Sequence, residues 1–230
     1  MRSVPPGCLA LLILGLVLLL PFVLANALFT ALAKLGLGPM SSLLAALGIF
    51  LGSTINVPIT RIEQTEMVEY LPNRLLGLHR LFSRPVQRRT YTIVAVNVGG
   101  CLLPTALAGY QGARIATQAP SVLPAALAAL ALNVALCYYL AQPVPDVGIT
   151  MSPLVPAGAA AICGLLLAPT WAPPVAFIAG VLGPLIGADF LHLDDIADLG
   201  TGMASIGGAG TFDGIVLSGL VATLLVPGAL

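Results

Sequence analysis

The stretch that decides the fold is residues 7–33, GCLALLILGLVLLLPFVLANALFTALA, which contains no charged residue. It is longer than the roughly 20 apolar residues that a helix needs to cross a bilayer. Arg2 in front of it and Ala25-Asn26-Ala27 within it also fit a signal peptide with a small-residue cleavage site. We favour an uncleaved first helix, kinked at Pro21, because the apolar run continues past that site to about Ala33.

The composition of the whole chain agrees with this first stretch. Of the 230 residues, 58% are hydrophobic and only 8% are charged, whereas soluble domains carry about 25% charged residues. So few charges cannot cover a water-exposed surface, and helices are the simplest structure in which every backbone group is satisfied inside lipid. The composition therefore predicts an all-α, polytopic transmembrane helical bundle that forms one membrane domain over residues 1–230. The net charge of zero argues against nucleic-acid binding.

Apolar runs separated by prolines and polar segments predict about seven spans. The second and sixth are near the minimum length for a crossing and can equally be re-entrant or broken segments. The seven runs are residues 7–33, 41–58, 91–110, 122–140, 149–167, 174–191 and 204–226.

The basic residues predict the orientation of these spans. With seven spans, one side holds only Lys34 and Arg114, whereas the other holds Arg2 and a long loop at residues 59–90. Arginine-rich loops stay in the cytoplasm. We therefore expect a multi-pass protein of the inner (plasma) membrane with a cytoplasmic N-terminus. The arginines of the loop are Arg61, Arg74, Arg80, Arg84, Arg88 and Arg89.

The long loop has structure of its own in this interpretation. Residues 55–62 alternate as in a short strand, and residues 73–84 form an amphipathic pattern with Leu75, Leu78 and Phe82 on one side. We favour an interfacial helix that contacts anionic lipid headgroups through the segment from Arg74 to Arg89, over a helix that docks a partner.

Glycine patterns are consistent with two parallel repeats in the chain. Gly48 and Gly52 in the second span echo Gly183 and Gly187 in the sixth, and Gly99-Gly100 echoes Gly207-Gly208. A chance match is the alternative, because small residues are common where membrane helices pack closely.

Neither a cofactor nor a structural metal is expected. The cysteines Cys8, Cys101, Cys137 and Cys163 lie in apolar runs without metal-ligand spacing. His192, followed by Asp194, Asp195 and Asp198, suits a solvated turn better than a divalent-cation site.

Two acidic residues stand out because a carboxylate inside a membrane costs about 2.5–3.5 kcal/mol. Asp189 closes the sixth run and Asp213 lies about ten residues into the seventh, with no basic residue beside it. In the assigned topology both lie toward the cytoplasmic half of the bilayer and can face each other. Two such carboxyl groups can act as general acid and base on a water. The nearby Gly208, Gly210 and Gly214 would let a substrate backbone approach, and Asn97 is a further candidate substrate contact.

The segment Gly208-Ala-Gly210-Thr-Phe-Asp213 resembles the Gly-x-Gly-Asp motif of intramembrane aspartyl proteases, with Thr211 and Phe212 inserted before the aspartate. In that family a second aspartate lies on the preceding helix, and the resemblance implies this role for Asp189.

A second resemblance covers the chain from about residue 40 to its end. Asn97-Val-Gly-Gly, the run from Ala172 to Gly180, Gly187-Ala-Asp and the run from Ser205 to Gly214 are similar to a prokaryotic multi-pass membrane-protein family of unknown function. This family implies no activity.

Three functions remain open at this point. The first is aspartyl-protease-like hydrolysis by Asp189 and Asp213. The second is a small transporter or channel-like protein in which Asn56, Asn97 and Asp213 line a path and the carboxylates bind protons or cations. The third is a structural membrane subunit in which Asp213 is a packing residue. The sequence identifies neither a partner protein nor a small solute.

Overall fold

The computed structural model describes residues 6–70, 84–144, 148–193 and 203–228. Helices dominate it, and the described residues form seven α-helices, each close to one of the predicted apolar runs. In chain order they are α1 (Pro6–Lys34), α2 (Pro39–Gly52), α3 (Leu103–Gln118), α4 (Leu123–Leu140), α5 (Leu154–Leu167), α6 (Ala172–Pro184) and α7 (Gly214–Leu225).

Five strands accompany these helices, so the all-α prediction is wrong in this respect. They are β1 (Asn56–Tyr70), β2 (Arg84–Asn97), β3 (Gln142–Val144), β4 (Gly148–Thr150) and β5 (Met203–Ile206). The first sheet has the order β1-β2-β5, with β1 antiparallel to β2 and β2 parallel to β5. The strands β3 and β4 form a separate antiparallel hairpin.

The third, fifth and seventh predicted spans were wrong at their first residues, and the second was wrong at residues 56–58, which belong to β1. In the fifth, Ile149 and Thr150 belong to β4. Residues 91–97 belong to β2, and a helical conformation begins only at Val98. The reason is the β-branched run Thr92-Ile93-Val94, which favours a strand, whereas a short apolar run alone does not distinguish a strand from a helix. In the seventh, β5 and a glycine-rich turn precede α7.

The long loop is also more ordered than predicted. The strand expected at residues 55–62 exists, but β1 continues to Tyr70 and pairs with β2 along its whole length, from Asn56 opposite Asn97 to Tyr70 opposite Arg84. The predicted amphipathic helix at residues 73–84 lies outside the described residues, except that Arg84 begins β2.

The core of the bundle is α6, in which Ala172 to Val181 are all buried. Small residues let its neighbours α3, α4, α5 and α7 approach closely. A Cβ atom added at Gly180 would lie 2.9 Å from Gly219 Cα, and one at Gly164 would lie 2.8 Å from the carbonyl oxygen of Ala172. This close backbone packing is how helices associate where water does not drive them together.

The two ends of the bundle differ in chemistry. At one end, which we call the basic end, Lys34 Nζ donates to the carbonyls of Leu224 and Val226, at 2.8 and 2.7 Å. Arg114 at the same end donates to the carbonyl of Leu35 and lies over the Trp171 ring. The sheet β1-β2-β5 lies at the opposite end, which we call the sheet end.

Among the residues whose side chains the structure describes, two helical segments are long and apolar enough to cross a membrane, Pro120–Leu140 and Pro169–His192. The second is largely enclosed by the other helices, whereas large apolar side chains are exposed around it. Examples are Phe22 on α1, Met40 and Phe50 on α2, Tyr139 on α4 and Leu166 on α5.

Candidate functional site

Two wide helical turns of the π type lie at the sheet end. One, Val98–Leu102, leads into α3, and the other, Leu185–Asp189, follows α6 directly. Each lies close to a proline, Pro104 or Pro184, which supplies no backbone N–H to the helix. Turns of this kind occur frequently at functional sites.

Glycines bring three backbone segments into direct contact here. A Cβ atom at Gly99 would lie 2.0 Å from the carbonyl oxygen of Ile49 on α2, and one at Gly100 would lie 2.0 Å from that of Gly207. Gly207 and Gly210 also have positive φ angles, 71° and 63°, which favour glycine. The end of α2, the first π-turn and the turn at residues 207–210 therefore form one tightly packed unit.

Asn97 lies fully buried inside this unit. Its Nδ2 donates to the carbonyl of Ser53 at 2.8 Å and to Asn56 Oδ1 at 3.0 Å, and its Oδ1 accepts from the backbone N–H of Gly100 at 2.7 Å. Ser205 on β5 donates to the same Asn56 oxygen at 2.6 Å. Asn97 therefore connects α2, β1 and the π-turn, and protein atoms already occupy its two N–H groups. Its predicted role as a substrate contact stays a prediction.

Asp213 begins α7. Its Oδ1 accepts from the backbone N–H of Ile215 at 2.9 Å, which makes it the N-cap of the helix, and its Oδ2 accepts from the N–H of Ala209 at 3.3 Å. A carboxylate at this position is stabilised by the free N–H groups and the dipole of the helix.

Asp189 is the last residue of the second π-turn and is partly buried. Asp213 is near enough for its charge to act on Asp189, and both carboxylates act on the thiol of Cys101. Asp189 also acts on the thiol of Cys137 on α4. The two carboxylates that the sequence singled out thus lie within electrostatic reach of each other at the sheet end. We call this pair, Asp189 and Asp213, the acidic junction.

The three glycines expected to admit a substrate have different surroundings. Gly210 is buried, and a Cβ atom there would lie 2.3 Å from Ser53 Cβ, so its role is packing. Gly208 is exposed, and the space around Gly214 is open. Only Gly208 and Gly214 therefore lie where another molecule can approach.

Near the acidic junction, His192 Nδ1 lies 3.1 Å from the carbonyl oxygen of Gly187, and its ring lies 4.8 Å from that of Tyr138. Asp194, Asp195 and Asp198 lie outside the described residues. Within the part of the chain that the structure describes, no group of three or more His, Cys, Asp or Glu residues is arranged to hold a metal ion.

Sequence reasoning overlooked Ser205 and Asn133. Asn133, in the middle of α4, is only 1% exposed and donates from Nδ2 to the carbonyl of Ala179 at 2.7 Å, while its Oδ1 has no partner. The signal was present, because Asn133 is the one amide in an otherwise apolar run, and such a residue inside a predicted span is a functional candidate.

Comparison with known proteins identifies the family. Residues 50–225 match the family described as Protein of unknown function (DUF1614), and the chain belongs to it. The expected resemblance to a family of unknown function is thereby confirmed. No curated protein and no solved structure matches the chain.

Proposed function

We propose that this DUF1614 member is a multi-pass inner-membrane protein that binds a proton or a monovalent cation at Asp189 and Asp213 and moves it across the membrane. It is a small transporter or channel-like protein in this proposal. Its N-terminus and the sheet end face the cytoplasm, where the segment from Arg74 to Arg89 contacts anionic headgroups.

The exposed surface supports a membrane location. Large apolar side chains cover the outside of α1, α2, α4 and α5, and contiguous apolar surface of this kind is rare on soluble monomers. The helix α1 has 29 residues and is about 43 Å long at 1.5 Å per residue, which is more than a bilayer core of roughly 30 Å.

Interrupted helices support a transport role. The 14 residues of α2 and the 12 of α7 reach only about 21 and 18 Å, so neither crosses a bilayer alone. The helix α2 ends, and α7 begins, at the packed glycine unit beside the acidic junction. Secondary transporters bind substrates and ions near helix breaks of this type.

The observation that carries the proposal is the pairing of two carboxylates without a positive partner. Among the described residues no salt bridge reaches Asp189 or Asp213, and the charge of Asp213 acts on Asp189. Repulsion between like charges within electrostatic reach of each other is relieved by a shared proton or a bound cation. Two carboxylates offer too few ligands for Ca²⁺, which takes six to eight oxygens, so a proton or a monovalent cation fits better.

The test is uptake of H⁺, Na⁺ or K⁺ by liposomes that contain the purified protein. Asp189→Asn and Asp213→Asn should each abolish uptake, because neither amide binds a proton or balances a cation. Glu63→Gln on β1, outside the helical bundle, is the matched control and should leave uptake unchanged. Normal uptake in either aspartate variant would refute the proposal.

Aspartyl-protease-like hydrolysis remains a second candidate, favoured by the same closeness of the two carboxylates. Asp213 is poorly suited to act as a free general base, because both of its oxygens accept backbone N–H groups. Incubation with a transmembrane peptide in detergent separates the two candidates. Cleavage that is lost in both Asp→Asn variants would support the protease, and cleavage that either variant retains would exclude it.

A further inference from the structure

The helix α4 packs against α6 and the second π-turn, and this contact extends from the acidic junction toward the middle of the bundle. A Cβ atom at Gly187 would lie 2.8 Å from Cys137 Cβ, and one at Gly183 would lie 2.5 Å from Asn133 Nδ2. Asn133 and Cys137 are four residues apart, so they lie on the same face of α4, one turn from each other. The charge of Asp189 acts on Cys137. The order Asp189, Cys137, Asn133 therefore leads from the sheet end toward the middle of the bundle.

A matching row lies on the other side of the junction. Both carboxylates act on Cys101 in the first π-turn. Thr105 follows about one turn later on α3, deeper in the bundle. Each row thus consists of a thiol near the acids and a polar side chain one turn farther in.

The inner members of both rows have buried oxygen atoms. Asn133 Oδ1 has no hydrogen-bond partner, and Thr105 Oγ1 has none except the neighbouring Cys101 thiol. Most buried polar atoms in proteins are paired, and each unpaired one costs about 1–3 kcal/mol. An oxygen of this kind one turn inward from each thiol, in a row that starts at the partly buried acids, is suited to accept a hydrogen bond from water or to bind a cation.

We infer that Cys137 and Asn133, together with Cys101 and Thr105, line the inner leg of a path for water and a small cation that begins at the acidic junction. The path is closed in this structure, since Cys137 and Cys101 are 0% and 3% exposed. The cation in this inference rests on the proposed function, whereas the hydrated path does not.

The experiment measures how fast a permanently cationic thiol reagent, 2-(trimethylammonium)ethyl methanethiosulfonate, modifies Cys137 in the full-length protein in liposomes. The variant keeps Cys137 and carries Ser at positions 8, 101 and 163. The control keeps only Cys163 on α5, which is more exposed than Cys137 in the structure. We expect Cys137 to react about tenfold faster than Cys163, because only a path that opens to water admits a charged reagent.

Substitution of the inner residues then tests their role. Asn133 lies one turn farther in than Cys137, and Asn133→Leu should slow the modification of Cys137 by about tenfold, because it removes the polar group that holds water beside the thiol. Thr105→Val should slow the modification of Cys101 in a variant that keeps only this cysteine. Valine has nearly the same shape as threonine, so this second substitution keeps the test valid if Asn133→Leu does not fold. Modification of Cys137 no faster than that of Cys163, or rates unchanged by both substitutions, would overturn the inference.

The same liposomes distinguish this inference from the proposed function. Modified Cys137 without any uptake of H⁺, Na⁺ or K⁺ would leave the path intact and refute transport. Uptake that depends on Asp189 and Asp213, combined with inert Cys137 and Cys101, would leave transport intact and refute this path.

Discussion

At the scale of single residues, Gly100 is one of the two positions with the least freedom in the packed glycine unit, together with Gly99. A Cβ atom there would lie 2.0 Å from the carbonyl oxygen of Gly207 and 3.1 Å from Gly210 Cα. Both are backbone atoms, so no side chain can move aside. We expect Gly100→Ala to lower the free energy of unfolding by about 1–3 kcal/mol, the usual cost of overpacking.

The control for this prediction is Gly109→Ala on α3, where the added Cβ atom meets nothing within 4 Å. Alanine favours helix over glycine by about 0.5–1 kcal/mol, so this variant should be slightly more stable than the wild type. Unfolding of the purified protein in mixed detergent micelles measures both. Equal stability of the two variants would mean that the glycine contact does not hold the unit together.

Two substitutions at Asp213 separate its structural role as a helix cap from the role of its charge. Asp213→Ala removes the N-cap of α7 and should cost about 0.5–2 kcal/mol of stability. Asp213→Asn keeps an oxygen that can accept from Ile215, so it should cost less, although the charge at the acidic junction is lost. Unfolding measurements on both variants test this order. If Asn destabilises as much as Ala, the charge itself stabilises the fold.

At the scale of elements, the sequence predicted where helices occur better than where they begin. The apolar runs match seven helices, because a helix of apolar residues needs no external partner for its backbone. The beginnings of the third and seventh runs were wrong, since Ile93 to Val96 and Met203 to Ile206 pair with each other as parallel strands. Such pairing depends on residues more than 100 positions apart, which local patterns do not reveal.

At the same scale, a contact between the ends of α1 and α7 is expected to stabilise the bundle. Lys34, the last residue of α1, joins α1 to α7 by donating to the carbonyls of Leu224 and Val226. Lys34→Met keeps most of the apolar stem but removes both charged hydrogen bonds. We expect it to lower the free energy of unfolding by about 1.5–3 kcal/mol. Lys34→Arg retains a donor and should recover part of the loss. A stable Lys34→Met variant would show that this contact does not couple the two helices.

Part of the candidate site could also be predicted from the sequence, and part could not. Asp189 and Asp213 were identifiable because an acid in an apolar run is costly wherever it lies. The network of Asn97 with Asn56 and Ser205 was not, because it depends on a sheet that joins distant segments.

At the scale of the whole molecule, the arginines and the helix directions predict one orientation. Arg61 and the β2 arginines lie toward the sheet end, whereas Lys34 and Arg114 at the basic end are occupied with helix carbonyls. By the positive-inside rule the sheet end should face the cytoplasm. Access to the acidic junction from the cytoplasm depends on this orientation.

Two threonine positions test the orientation with one chemistry. Thr60 on β1 and Thr117 near the end of α3 are both exposed, at opposite ends of the bundle. In a cysteine-free background, a membrane-impermeant maleimide should label Thr117→Cys in spheroplasts and Thr60→Cys only in inside-out vesicles, because each side chain meets water on one side of the membrane. The reverse pattern would place the sheet end and the acidic junction outside. Labelling of both positions in spheroplasts would refute a membrane-spanning bundle, because the two ends of the protein would then share one aqueous compartment.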